Sequence, residues 1–321
     1  MDEFDLIAAY FAPLAQSPGA LGLGDDVAVL QTPGDVVVTA DALVEGVHFL
    51  PDDPLSTVAR KLFRVNASDL IAKGSVPIGA LLTLIWPSSR PTEQIAQFAA
   101  GLAAEQENGF ALLGGDTVST PGPLSVSLTM IGRPLGARGP VLRTGARPGD
   151  VVAVTGVIGD GYLGLQARLD QLDDLTPEDR AALSLAYQVP QPPFGVEAAI
   201  ARHATAALDV SDGLIADAGH LARRSGVRLE ITAGAVPFSD PVRRWLDRAA
   251  ERPLALGALL TGGDDYQTLF AAPANAIERM RAEAPEVAIT VIGRCTTGQG
   301  VAVLDTDNVE MTLSKPGWRH F

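Results

Sequence analysis

The sequence predicts an α+β fold made of two mixed domains, and three observations predict it. Short apolar runs of strand character and amphipathic helical runs recur along the chain, without the strict strand–helix–strand alternation of a doubly wound sheet. Residues 134–149, PLGARGPVLRTGARPG, are dense in Gly, Pro and Arg and mark the best break, giving domains 1–138 and 139–321. Across that break ALLGGD (111–116) and LLTGGD (259–264) echo each other, as related halves would.

The elements follow in order. Residues 3–16 read as a helix with Phe4, Ile7 and Phe11 on one face. Residues 35–40, DVVVTA, read as a buried strand ending at Asp41, and 56–73 as a helix with Ser56 as its N-cap. An apolar strand over 78–86 closes at Pro87, and an Ala-rich helix covers 92–108. A strand over 110–113 ends in Gly114-Gly115-Asp116-Thr117, and the alternating 124–132 is another. In the second domain, strands are expected over 150–157, 206–210, 227–231, 268–271 and 288–292. Helices are expected over 160–169, 173–186 and from Gly213 to about Ser225, with a closing hairpin from 300–304 and 310–313. The C-terminal domain is thus a sandwich-like packing of strands and helices.

Composition narrows the function. Of 321 residues 47% are hydrophobic, enough for substantial cores, and 38 acids against 24 Lys and Arg give a net charge of -14. That field repels nucleic acid and anionic membranes, while phosphate substrates remain open to it if metal ions supply positive charge. The single Cys295 excludes an intramolecular disulfide and Cys-rich metal sites. The acidic start MDEFDLIAAYF lacks the basic region of a signal peptide, and no run of 18 apolar residues occurs. A reducing cytoplasm is the expected setting.

The chemistry lies in recurring carboxylates. Asp25 and Asp26 in LGLGDDVAVL, Asp41, Asp116, Asp209 with Asp212, and Asp264 with Asp265 all sit beside apolar runs, several next to glycines. Taken alone, Gly-Asp-Asp is turn chemistry; repeated at strand ends, it is how many proteins hold hard cations and phosphates. Asp69 is the sharpest case, because it continues the apolar stripe of Val58, Leu62 and Val65. A carboxylate pointing inward is paired, protonated or metal-bound, and Lys61, Arg64 and Lys73 are the nearby candidates for a pair. Carboxylates that converge stay ionised only with cations among them, and Mg²⁺ takes both carboxylates and substrate phosphates. The residues alone therefore point to phosphoryl transfer or another ATP-driven reaction.

Gly159-Asp160-Gly161-Tyr162-Leu163-Gly164 fits G-x-G-x-x-G, but the residues after it stay helical and polar where a dinucleotide site needs a second strand ending in an acid. A helix N-terminus there remains open to a phosphate. No G-x-x-x-x-G-K-[ST] loop, H-R-D or D-F-G occurs. His48, in VEGVHF after the Asp41 run, is the histidine best placed for a site; His203 and His220 read as helix-surface residues.

Taken together, EFDLIAAYF (3–11), LGLGDDVAVL (21–30), TADALVEGVHF (39–49), KLFRVNASDLIAKG (61–74), LLGGDT (112–117), RTGARPGDVVAVTG (143–156), ALDVSDGL (207–214), LTGGDDYQTLF (260–270), IGR (292–294) and GWRHF (317–321) resemble the thiamine-monophosphate kinase family. That family is part of the aminoimidazole-ribonucleotide-synthetase-like ATP-binding superfamily. The resemblance runs nearly end to end. It implies ATP-dependent phosphorylation of thiamine monophosphate to thiamine diphosphate. It also implies a homodimer whose N-terminal domains form a shared β-barrel, with active sites between domains. Carried over by motif, Asp26, Asp41, Asp69, Asp116, Asp209 and Asp212 would bind several Mg²⁺ ions, with Thr39 assisting. Gly115, Asp116, Arg143 and Ser211 would contact ATP, and His48, Asp264 and Trp318 would line the thiamine site. No residue is expected to act as acid or base.

Two positions depart from the family pattern: Ala40 replaces a Thr before Asp41, and the family's G-G-E-D-Y-E reads Gly262-Gly263-Asp264-Asp265-Tyr266-Gln267. Asp264 is one methylene shorter than the Glu it replaces. The alternatives are another enzyme of the superfamily, such as an aminoimidazole ribonucleotide synthetase, and a non-catalytic protein that binds nucleotide or metal. The lone Cys295 fits neither the selenophosphate synthetase pattern nor the hydrogenase-maturation one.

Overall fold

The computed structural model describes residues 3–23, 28–172, 175–305, 307–312 and 317. The chain forms two compact units, Met1–Leu70 with Ser75–Pro134, and Ile71–Gly74 with Leu135–Phe321.

The first unit opens with α1 (Glu3–Leu6), a π-turn over Ile7–Phe11 and a 3-10 turn over Ala12–Leu14. The helix expected over 3–16 is thus three short pieces; Pro13 lacks the N–H that a continuing helix needs. Then come β1 (Val37–Val44), α2 (Leu55–Ala72), β2 (Ser75–Pro87), α3 (Ile95–Ala103), β3 (Leu112–Thr120) and β4 (Ser125–Pro134). The strands form one sheet in the order β1-β4-β2-β3, antiparallel except for the parallel β2–β3 pair. α2 supplies the fully buried Leu62, Phe63 and Leu70, and Leu70 meets the sheet at Gly132, where a Cβ would lie 2.9 Å from it. α3 comes close to α2 at Gly101, whose Cβ would lie 2.2 Å from the Ser56 carbonyl.

Three expectations change here. β1 is not a buried strand stopping at Asp41. It is an edge strand that runs on to Val44 with alternating exposure, because only one of its faces is covered; Val38 is 58% exposed. Ser56 is not the N-cap of α2, which starts at Leu55; the Pro54 carbonyl accepts from the backbone N–H groups of Thr57 and Val58. Gly114-Gly115-Asp116-Thr117 lie within β3 rather than beyond it.

The second unit contains β5 (Val151–Thr155), α4 (Asp160–Arg168), α5 (Pro177–Gln188), α6 (Glu197–His203), β6 (Ala206–Val210), α7 (Leu214–Ser225), β7 (Arg228–Thr232), α8 (Asp240–Arg248), α9 (Arg252–Thr261), β8 (Gln267–Ala272), α10 (Ile277–Glu283), β9 (Ile289–Thr296) and β10 (Gly300–Leu304). Its sheet runs β10-β7-β9-β5-β8-β6, antiparallel except for β10–β7. β10 pairs with β7 in parallel, and the chain returns against it through the antiparallel Leu304–Glu310 bridge, with the Met311 N–H donating to the Val303 carbonyl at 2.8 Å; residue 313 of the expected closing hairpin lies outside the described residues. One core joins α7 to the sheet through Leu214, Ala218 and Leu221 against Val154, Leu208 and Leu229. A second joins α4, α5, α8 and α9 through Leu163, Leu183, Leu246 and Leu259. With an unbroken apolar covering, β6 and β8 are buried at every residue.

Candidate active site

In the first unit β1 turns Thr39 and Asp41 toward α2. Thr39 Oγ1 donates a short hydrogen bond to Asp69 Oδ2. One turn earlier on α2, Asn66 Oδ1 accepts from the Asp41 backbone N–H at 3.1 Å, while its Nδ2 donates to the Leu62 carbonyl at 2.9 Å. Asn66 is fully buried and both its amide functions are used, so it locks Asp41 of β1 against Asp69's helix face. Burial, and then the charge of Asp69, push the Asp41 carboxyl up to about 6. A carboxyl raised by burial and by a neighbouring carboxylate marks a place whose charge a cation would relieve.

The candidate partners of Asp69 have contacts of their own. Arg64 donates to Glu105 at 2.8 Å, Lys61 to the His48 carbonyl at 3.1 Å and Lys73 to the Ala207 carbonyl at 2.6 Å. His48 sits in the turn after β1, where its Nδ1 accepts from the Val44 N–H at 3.1 Å; in the neutral ring Nε2 then carries the proton. Cross-strand register aligns Asp41 with Leu128, Leu82 and Gly115, and places Asp116 one residue on, beside Thr83 and Ser127. Asp116 therefore projects from the sheet face opposite to Asp41 and is exposed. At Gly115 a Cβ would lie 1.9 Å from the Leu82 carbonyl, so a packing need accounts for this glycine.

In the second unit β6 carries Asp209, 6% exposed, one residue before its end at Val210, and Ser211-Asp212-Gly213 leads into α7. Asp217, in the first turn of α7, accepts through Oδ2 from the backbone N–H groups of Ser211 and Asp212, both at 3.0 Å. Burial and the charge of Asp212 push Asp217 up to about 7. Arg143 is exposed, and its charge acts on Asp217 in the opposite sense. The 262–266 turn is zipped to this loop: Asp264 N–H donates to the Ser211 carbonyl at 2.9 Å and Tyr266 N–H to the Val210 carbonyl at 2.7 Å. A Cβ at Gly263 would lie 2.3 Å from that Ser211 carbonyl. Tyr266 Oη donates to Asp264 Oδ1 at 2.9 Å. Ser211, Asp212 and Asp264 are thus brought together.

The N-terminus of α4, left open to a phosphate by the sequence, is taken by a side chain. Asp265 Oδ1 accepts from the Gly159 N–H at 2.8 Å and the Gly161 N–H at 3.3 Å. The glycines of this run answer to packing: a Cβ at Gly161 would lie 2.2 Å from the Asp264 carbonyl, and one at Gly164 2.2 Å from the Leu183 carbonyl.

Asp26 and Trp318 lie outside the described residues. Among the described residues no three His, Cys, Asp or Glu side chains gather as a metal cluster. The oxygen donors of this site are nonetheless the set that a hard cation takes, and the Asp41–Asp69 pair fits Mg²⁺ in charge and chemistry. Sequence reading missed Asn66 and Asp217. For Asp217 the signal was present, an acid in the first turn of the helix after Ser-Asp-Gly; for Asn66 the helical stripe alone carried none.

This architecture is that of the AIR synthase related proteins, whose N-terminal domain family matches residues 24–133 and whose C-terminal domain family matches 147–306. Within that class the chain belongs to the thiamine-monophosphate kinase family. It is 43% identical over 328 residues to the thiamine-monophosphate kinase of Caulobacter vibrioides, covering 99% of this chain and 90% of that protein. With the Escherichia coli K12 enzyme the identity is 34%, over 99% and 98%. The crystal structure of thiamine-monophosphate kinase from Stenotrophomonas maltophilia K279a superposes with a TM-score of 0.83 at 35% identity, covering 97% and 98%. AaThiL complexed with AMPPCP and TMP superposes with a TM-score of 0.79 at 32% identity, covering 99% and 97%. Escherichia coli HypE, at 19% identity and a TM-score of 0.75, shares the fold.

Proposed function

We propose that the protein transfers the γ-phosphoryl group of ATP to thiamine monophosphate, giving thiamine diphosphate and ADP. The observation that carries this is the likeness, over 99% of the chain, to AaThiL complexed with AMPPCP and TMP. The chemistry agrees. A terminal phosphate oxygen of the acceptor is already ionised at neutral pH, so no strong general base is required. The obstacle is repulsion between two polyanions, and catalysis then consists of alignment and charge neutralisation.

In this reading Asp26, Asp41, Asp69, Asp209 and Asp212 hold Mg²⁺, with Thr39 fixing Asp69 through its hydrogen bond; Asp116, which projects from the opposite face of the sheet, does not join Asp41 and Asp69. When bound, Mg²⁺ supplies the positive charge that phosphoryl oxygens need. Gly115, Arg143 and Ser211 contact ATP. His48, Asp264 and Trp318 line the thiamine site, and an aromatic residue is of a type that attracts a cationic acceptor. Ala40 leaves its backbone carbonyl as its contribution.

The protein works as a homodimer in which the open face of the four-stranded sheet is covered by the same face of a second copy, closing a barrel. What supports this is the apolar exposure on that face: Val38 at 58%, Leu81 at 39% and Val118 at 43%. The reaction belongs in the cytoplasm, where ATP is supplied; among the described residues no helix is long and apolar enough to cross a membrane.

The test is ADP release by the purified protein with ATP and Mg²⁺ across a panel of acceptors. Turnover with thiamine monophosphate is expected. Turnover with aminoimidazole precursors alone overturns the assignment, and tight nucleotide binding without turnover of any acceptor favours a binding protein.

A further inference from the structure

We infer that Asp265 is a positioning residue for acceptor recognition: seated on the N-terminus of α4, it fixes the 262–266 turn so that Asp264 and Tyr266 present one joint polar face. The inference rests on the reading in which Asp264 lines the thiamine site.

Asp265 has no access to a ligand. It is 6% exposed, its Oδ1 is used by the Gly159 and Gly161 N–H groups, and its Oδ2 is buried with no hydrogen-bond partner. A carboxylate left half-unsatisfied in such a place costs free energy, and burial holds its pKa well above the ordinary range. An aspartate kept there at that cost is doing something an apolar residue does not do.

The turn it holds is strained. Asp264 has φ 70° and Tyr266 φ 51°, both in the left-handed region, and for an aromatic residue this conformation is unfavourable. Strained backbone persists only where its surroundings over-determine it. Here the restraints come from two sides. The backbone N–H groups of Asp264 and Tyr266 are tied to Ser211 and Val210, and the residue between them is tied to α4 through its side chain. Gly161 completes the fit, because the Asp264 carbonyl occupies the place of its missing side chain. Gln267 secures the far end, donating through Nε2 to the Gln191 carbonyl at 2.8 Å and accepting from Thr155 Oγ1 at 3.0 Å. Under these restraints Tyr266 Oη reaches Asp264 Oδ1. Freed from α4, the turn relaxes toward ordinary φ values and that pair separates.

The experiment is steady-state kinetics with thiamine monophosphate and ATP varied separately, on Asp265→Ala, Asp265→Asn, Gly161→Ala and Asp264→Ala. Asp265→Ala and Gly161→Ala are expected to raise KM for thiamine monophosphate about tenfold and KM for ATP by less than about twofold. Asp265→Asn keeps the Oδ1 acceptor and is expected to restore KM to within about threefold of the parent. Asp264→Ala raises the same KM directly. If Asp264→Ala leaves that KM unchanged, the reading of Asp264 fails and this inference with it. If Asp264→Ala raises it while folded Asp265→Ala does not, the inference alone fails. It fails too if Gly161→Ala leaves both constants unchanged, or if Asp265→Ala raises both equally, as a merely structural role would.

Discussion

At the residue scale, Asp69 is where sequence and geometry meet most closely. Its place on an apolar stripe demanded a partner, and the partner in hand is a hydroxyl, Thr39, while its own charge helps to raise the half-buried Asp41 carboxyl. A hydroxyl relieves a half-buried carboxylate only in part, which leaves the pair suited to a cation. Asp69→Asn removes the charge and keeps the shape. We expect turnover to collapse while the thermal midpoint holds; near-normal turnover would remove Asp69 from the site. Asp265 yields a pH prediction. Its pKa is raised in the folded protein, so the folded state binds more protons than the unfolded chain. Its stabilising contribution is fully present below its ordinary value of 3.8 and is lost as pH rises through the raised value. Thermal midpoints measured from acid to neutral pH are expected to fall more steeply for the parent than for Asp265→Asn; parallel curves would contradict this.

At the element scale, the order of strands and helices was legible in the sequence wherever apolar periodicity was strong, as for α2, β2 and β4. Legibility failed where tertiary pairing overrode local chemistry. Asp41 read as the end of a strand, yet β1 continues because Asn66 accepts from its N–H and β4 pairs with it throughout. Gly114 and Gly115 read as a loop, yet β3 continues through them because β2 lies too close for a side chain at Gly115. The opposite facing of Asp41 and Asp116 was out of reach as well, since strand register is set by pairing and not by spacing along the chain. The Gly115 approach carries its own prediction. Gly115→Ala forces β2 and β3 apart and is expected to cost about 1–3 kcal/mol of stability. Thermal denaturation checks it, and an unchanged midpoint would show that the strands tolerate a side chain there.

At the scale of the whole molecule, the motifs told more about chemistry than about assembly. Each carboxylate was visible as a residue, while the loop-to-loop zipper of 211–213 and 262–266 came from the antiparallel β6–β8 pair, which joins segments distant in sequence. For assembly, Leu81→Glu places a charge on the exposed sheet face without touching either core. If the parent sediments as the proposed dimer, this variant is expected to sediment as a monomer; an unchanged dimer would move the interface elsewhere. The central claim is the destination of the phosphoryl group. Incubating the protein with Mg²⁺, γ-labelled ATP and thiamine monophosphate tests it most directly. The account predicts label in thiamine diphosphate, one for each ADP formed. Label appearing only as inorganic phosphate, with thiamine monophosphate unchanged, would contradict it.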